Sequence, residues 1–244
     1  MQRARIFGAV GAVWFGLSLA AIVYATRLGL LGAPVDALQG NVFRIFFYHV
    51  PTAMLSLIFP YVNLAASLCY LFWRSRDPLK ALTADAWALS SAEVTVVYAS
   101  ITLLTGSLWG KVAWGIWWTW DARLTSMLLL WLLYVSYLML RRFSATGQTH
   151  TLAAVLSVFA AIDVPIVYMS IRWWRTQHPA PVFGGGPDSG VDPSMMPAFG
   201  WNVSAWAMWG VFLVCFRFAL ERRRQECEQD AALQAIEASL ESVR

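Results

Sequence analysis

Apolar residues run along this chain in long stretches broken by short charged punctuation, and they do not alternate with polar residues on a strand or amphipathic-helix period. A helix needs about 20 mostly apolar residues to cross about 30 Å of hydrocarbon. Six runs approach or exceed that length, at about 6–26, 43–73, 84–107, 124–140, 151–174 and 201–220. They predict an all-α integral membrane protein, a six-transmembrane-helix bundle over 1–220 followed by a C-terminal tail over 221–244. The first run follows Arg3 and Arg5 as a signal peptide would. It is long for a signal peptide's apolar core and no small-x-small site follows it, so it is read as an uncleaved span.

Composition sharpens this picture. The chain is 59% hydrophobic and 13% charged, against about 45–50% and 25% in soluble domains. Its formal charge of +4 would suggest nucleic acid in a soluble protein. Here Lys and Arg flank apolar runs, so the charge is read as membrane topology and no nucleic-acid partner is expected.

An even number of spans puts both termini on one side. The tight basic clusters at Arg74/Arg76, Arg141/Arg142 and Arg222/Arg223/Arg224 fall on that side, which the positive-inside rule makes cytoplasmic. Arg27, Arg44, Lys111, Arg123, Arg172 and Arg175 fall on the other. The long connections then face outward, which predicts that the chemistry is there. The Gly/Pro-rich piece 184–193 is expected to hold little regular structure. The tail reads as a cytoplasmic helical extension or, alternatively, a disordered segment, and its basic start suits a lipid surface.

Cys69, Cys215 and Cys227 are the three cysteines. Their spacing offers no disulfide framework, zinc motif or CxxCH heme attachment site. Cys69 and Cys215, inside apolar runs, are expected to be packing residues.

The histidines are more informative. His150 begins the fifth run and reads as an interfacial polar residue. His49, in "FFYHVPTAM", lies inside an apolar run, where an ionisable group is a functional hypothesis by default. Pro51 is expected in a first helical turn, where its missing N–H costs nothing. His178 lies just beyond the fifth run, on the face predicted for His49. Two imidazoles fall short of the four ligands zinc prefers, whereas a porphyrin supplies four nitrogens itself and needs at most two axial ligands.

Between the third and fourth runs stands "WGKVAWGIWWTWDARLTS", 109–126. Trp109, Trp114, Trp117, Trp118 and Trp120 offer flat faces to a porphyrin, and Arg44, Lys111, Arg123, Arg172 and Arg175 are candidate partners for its propionates. The competing reading, narrowly favoured by physics alone, is an interfacial aromatic belt. Against a simple belt, these Trp residues are bunched in one segment around Asp121. Asp121 itself resembles an N-cap for the fourth span.

The order WGxWWxWDxRLTS resembles the tryptophan-rich WWD signature of heme-handling membrane proteins in cytochrome c assembly. "YHVP" at 48–51, "VPIVYMSIRWWRTQH" at 164–178 and "DPSMMP" at 192–197 extend the match over about 43–209. With six spans the chain resembles the cytochrome c maturation protein C (heme exporter protein C) family. The residues after His178, Pro-Ala-Pro, depart from the family's pattern.

That resemblance implies non-covalent, b-type heme held at the periplasmic face of the bacterial inner membrane. His49 and His178 would be its axial ligands, with Trp109, Trp114, Trp117, Trp118, Trp120 and Asp121 as the platform. It implies presentation of heme to the periplasmic heme chaperone, maturation protein E, beside the ABC-type maturation proteins A and B and the single-span maturation protein D. The covalent bond would form on the chaperone, so no catalytic residue is assigned and conventional enzyme status stays open. The alternative function is the heme-exporting permease subunit of an ABC-type transporter. Glu93 and Asp163, carboxylates inside spans three and five, are read as interhelical hydrogen-bonding groups, with a proton or heme track as the alternative.

Overall fold

The computed structural model describes residues 2–144, 148–182 and 190–241, with the side chains of 2–7 left aside. The helices are α1 Gln2–Arg27, α2 Phe46–Trp73, α3 Pro78–Trp114, α4 Ala122–Phe143, α5 Thr149–Trp173 and α6 Met196–Glu241. All six reach the length and apolarity needed to cross a membrane, and no strand occurs among the described residues. The protein is an all-α six-helix membrane bundle.

Local chemistry fixes the helix ends near the Trp-rich segment. Asp77 caps α3 by accepting from Lys80 N at 3.1 Å, with Pro78 in the first turn. At the other end Gly115, at φ +78°, terminates α3 in a left-handed conformation that glycine adopts without a Cβ penalty. Asp121 then caps α4 by accepting from Leu124 N at 2.9 Å, in the role its sequence position suggested. A π-helical turn, Leu28–Gly32, extends α1, and a 3₁₀ turn, Asn41–Ile45, leads into α2.

The α2–α3 pair is the centre of the bundle, with α5 against α2 and α4, and α1 against α6 at the periphery. The main core joins Tyr134, Tyr137, Leu130 and Val167 to small residues such as Ala92, Ala99, Ala153 and Ala160. Small side chains let membrane helices approach closely, and interhelical hydrogen bonds add to that packing. Asn63 is a buried polar hub: its Nδ2 donates to Ala88 O at 2.7 Å, and its Oδ1 accepts from Tyr134 Oη at 3.3 Å and from Ser157 Oγ.

Several boundaries differ from the sequence reading. The third helix starts at Pro78 and runs to Trp114, so Trp109 and Lys111 stand on its last turns instead of in a loop. Pro51 lies beyond the first turn because α2 begins at Phe46. All three cysteines are exposed on the bundle surface. An apolar run crossing lipid has a lipid-facing side as well as a packed one, and Cys69 and Cys215 lie on the former. The tail continues α6 as helix to Glu241. Residues 242–244, and 184–189 of the Gly/Pro-rich piece, lie outside the described residues.

Three further polar residues find definite places. Glu93 pairs with Arg217 through Nη2–Oε1 at 2.8 Å and a second contact from Nε. His150 Nδ1 stands 3.0 Å from Asp85 Oδ2. Asp163 is buried, and its Oδ2 has no hydrogen-bond partner among the described residues.

Candidate heme-handling site

His49 sits one turn into α2, buried where that helix meets the end of α3. Its Nδ1 is 3.0 Å from Thr105 Oγ1. The Trp109 ring stands edge-on to the imidazole, with centroids 5.7 Å apart and planes at 78°. Trp109 is itself held on its other side: Nε1 donates to Gln39 Oε1 at 2.6 Å, and its ring meets Phe43 edge-on at 5.9 Å. It is therefore a wall behind His49, tied to the α1–α2 connection.

Beyond Trp109 the chain turns back. Lys111 Nζ donates to Gly115 O at 2.9 Å, covering a carbonyl at the helix end, and lies 5.8 Å over the Trp117 ring. Ser107 Oγ donates to Trp117 O at 2.8 Å, which folds the loop along α3. Trp118 and Trp120 pack edge to face at 5.8 Å. The Trp118 Nε1 is buried with no partner among the described residues, and a buried N–H of this kind usually has one. Trp114, Trp117 and Trp120 are exposed, Trp120 most at 77%.

His178 follows α5, half-buried. Its Nδ1 lies 2.9 Å from Pro179 O. A carbonyl only accepts, so Nδ1 is the donor, and in the neutral ring Nε2 keeps its lone pair. Burial first, and then the nearby Arg123 guanidinium, lower the His178 pKa to about 4, against smaller opposing effects of the Pro179 hydrogen bond and Asp121. The ring is therefore uncharged at neutral pH. His178 and Arg123 lie within electrostatic range of His49. The two histidines, from α2 and from the segment after α5, thus share one neighbourhood with the start of α4.

An open concavity of about 480 Å³ is lined by Thr119, Trp120, Asp121, Arg175, Thr176 and Gln177, the last of which precedes His178 in the chain. Ligand sites commonly span about 300–1,000 Å³. Of the cations predicted on this face, Arg175 lines the concavity, and Arg123 Nη1 donates to Val167 O beside the histidines. Arg44 is engaged with Gly29 O at 3.0 Å and Asn41 Oδ1 at 3.1 Å, and Arg172 lies over the Tyr168 ring at 5.0 Å.

The donor set suits a porphyrin. Two imidazoles come from separate elements, one with its Nε2 free, with Arg123 in range of both. Arg175 and Trp120 line the concavity, and Trp120 packs on Trp118, whose indole N–H has no partner among the described residues. No trio of His, Cys, Asp or Glu suited to a bare metal ion gathers among the described residues. Sequence reasoning did not single out Thr105, Gln39, Ser107, Thr176 or Gln177. Thr105 and Gln39 act through contacts between distant segments, which leave no local pattern.

The family model for heme exporter protein C matches residues 2–233. The chain belongs to the heme exporter protein C family. Among its relatives is the heme exporter protein C of Bradyrhizobium diazoefficiens, 41% identical over 182 residues, covering 72% of this chain and 66% of that protein. The Escherichia coli K12 protein of the same name is 33% identical over 223 residues, covering 86% of this chain and 87% of that one. A putative cytochrome c biosynthesis ccmC-like mitochondrial protein of Marchantia polymorpha is 32% identical over 209 residues, covering 86% and 79%. Membership of this family fits the six-helix membrane architecture.

Proposed function

We propose that this protein handles heme in cytochrome c biogenesis, holding it between His49 and His178 and presenting it to a periplasmic heme chaperone, maturation protein E. Heme is the cargo. His49 and His178 donate Nε2 to its iron, and axial ligation of this kind helps set the metal's redox behaviour. Trp118 and Trp120, with Trp114 and Trp117 at the rim, form an apolar platform for the ring. Arg123 and Arg175 pair with the propionates. Asp121 holds the loop by capping α4, so its role is structural. One ring edge stays open toward the chaperone.

The carrying observation is that two histidines 129 positions apart (178 less 49) share one electrostatic neighbourhood with Arg123, next to the Trp-rich loop. The site belongs on the periplasmic face of a bacterial inner membrane, because most basic clusters fall at the opposite end of the bundle. Maturation proteins A, B and D are the expected complex partners. A permease that loads heme from the cytoplasm would need a ligand at that opposite end. His150, the histidine there, already stands beside Asp85.

The test is the absorption spectrum of the purified protein. A six-coordinate, low-spin bis-imidazole spectrum is expected, and His49→Ala and His178→Ala should each perturb or abolish it. An unchanged spectrum in either variant removes that residue as a ligand.

A further inference from the structure

Two residues of α3 fix how His49 is presented. The Thr105 hydroxyl has one proton, and its Oγ1 lies 2.6 Å from Ile101 O, one turn back in the same helix. Thr102 O lies 3.3 Å away as well. A carbonyl oxygen accepts and never donates, so that proton is committed to the α3 backbone, with Ile101 O the nearer acceptor. Thr105 Oγ1 therefore meets His49 Nδ1, at 3.0 Å, as an acceptor, and Nδ1 must carry the hydrogen. The opposite tautomer would require the threonine proton to turn to Nδ1. That would leave two oxygen lone pairs facing each other at 2.6 Å in a partly buried setting.

The next residue fixes the plane of the ring. A Cβ on Gly106 would stand 2.9 Å from His49 Cε1 and 3.5 Å from Nδ1, so the imidazole lies directly against the α3 backbone. It has little room to yield, since Trp109 stands edge-on to it and Thr105 holds Nδ1.

We infer that Thr105 and Gly106 are positioning residues that lock His49 in the Nδ1–H tautomer and in one tilt, leaving Nε2 bare for iron. The inference rests on the reading of His49 as a heme ligand. Metal-binding imidazoles generally donate their other N–H to a partner, and losing that partner commonly costs 10–100-fold in metal affinity. On the other side of the site the Pro179 carbonyl does for His178 what Thr105 does for His49. The acceptor for His49 is a side chain, so it can be changed by mutation.

The test begins with the heme-free, full-length protein labelled with ¹⁵N-histidine in lipid nanodiscs. Long-range ¹H–¹⁵N correlation spectra distinguish the two tautomers, with His49→Gln assigning the signal. Wild type should show His49 as Nδ1–H. Thr105→Val should lose that preference and Thr105→Ser should keep it. An Nε2–H signal in the wild type overturns the lock, whatever the variants do.

In the heme-loaded protein, Thr105→Val and Gly106→Ala should weaken heme binding by about 10–100-fold and shift the low-spin spectrum, with Thr105→Ser restoring both. Wild-type affinity and spectrum in Thr105→Val overturn the positioning role. If His49→Gln instead keeps the full heme spectrum while the Nδ1–H signal is present in wild type, the ligand reading fails. In that case the positioning role falls with it, and the measured tautomer stands as a structural feature.

Discussion

Arg141 and Asp85 face each other across α4 and α3 as a two-pronged ion pair, Nη1–Oδ1 at 2.5 Å and Nη2–Oδ2 at 2.7 Å, with both side chains buried. Removing one partner of such a pair strands the other's charge and typically costs about 3–5 kcal/mol, while exchanging both for apolar residues of similar size is often neutral. Asp85→Ala and Arg141→Met should therefore each lower the thermal midpoint in detergent sharply. The double variant Asp85→Leu/Arg141→Met should recover most of the loss. A double variant as unstable as the worse single would contradict this account.

Gly210 marks a close approach of α6 to the core. A Cβ there would lie 2.5 Å from Phe59 Cζ and 3.0 Å from Tyr98 Oη, and that hydroxyl donates to Trp206 O at 2.7 Å. Gly210→Ala should destabilise by about 1–3 kcal/mol, the usual cost of overpacking. Gly16→Ala on α1, where nothing lies within 4 Å, is the control and should leave the thermal midpoint unchanged or slightly raised. Equal effects at the two positions would show that the close approach at Gly210 is absent.

The spans were legible because apolar length is a one-dimensional signal, and the Asp121 cap because its cue lies within four residues of the helix it starts. The third span outran its prediction for a physical reason. The apolar window ends near Ser107, but the helix needs no apolar window to continue and stops only at Gly115, whose positive φ ends it. The Trp-rich order drew attention to this segment without showing that Trp109 is a wall behind His49 while Trp120 faces outward. The placing of Trp109 comes from Gln39 and Phe43, which reach it from elsewhere in the chain. Glu93 drew notice as a costly charge, yet its partner Arg217 lies 124 positions away, where no local pattern reaches.

The tryptophans should separate by role. Trp109→Phe keeps a ring beside His49 but loses the donor to Gln39, so it should perturb the heme spectrum and cost about 0.5–1.5 kcal/mol of stability. Trp117 is 55% exposed with Lys111 above its ring. Trp117→Phe should leave heme occupancy within about twofold of wild type, a ΔΔG under about 0.4 kcal/mol. Heme titrations of the two variants decide the matter, and equal losses would mean that the segment acts as a uniform aromatic surface.

Asn63 joins four helices, through Ala88 on α3, Tyr134 on α4 and Ser157 on α5. Interhelical hydrogen bonds in membranes average about 0.6 kcal/mol and reach about 1.7. Asn63→Leu removes several at once and leaves buried groups without partners, so a loss of about 1–3 kcal/mol is expected. Asn63→Asp loses the amide donor to Ala88 O, so it should also be less stable than wild type. Unfolding in mixed micelles measures the series, and a Leu variant as stable as wild type would show that the hub contributes nothing.

Asp192 gives the segment before α6 a pH dependence of definite sign. Its Oδ1 accepts from Ser194 N at 2.8 Å and from Ser194 Oγ at 2.5 Å. These hydrogen bonds hold its carboxyl below the ordinary aspartate range. A depressed folded-state pKa means that the unfolded segment binds the proton more readily. The turn's contribution is therefore fully present above about pH 4, the unfolded aspartate range, and is lost as pH falls through the lower folded value. Amide exchange at Ser194 should quicken, relative to its intrinsic rate, on acidification through that window. Asp192→Asn should remove the pH dependence while keeping an acceptor oxygen, and a Ser194 protection profile equally steep in that variant would assign the titration to another group.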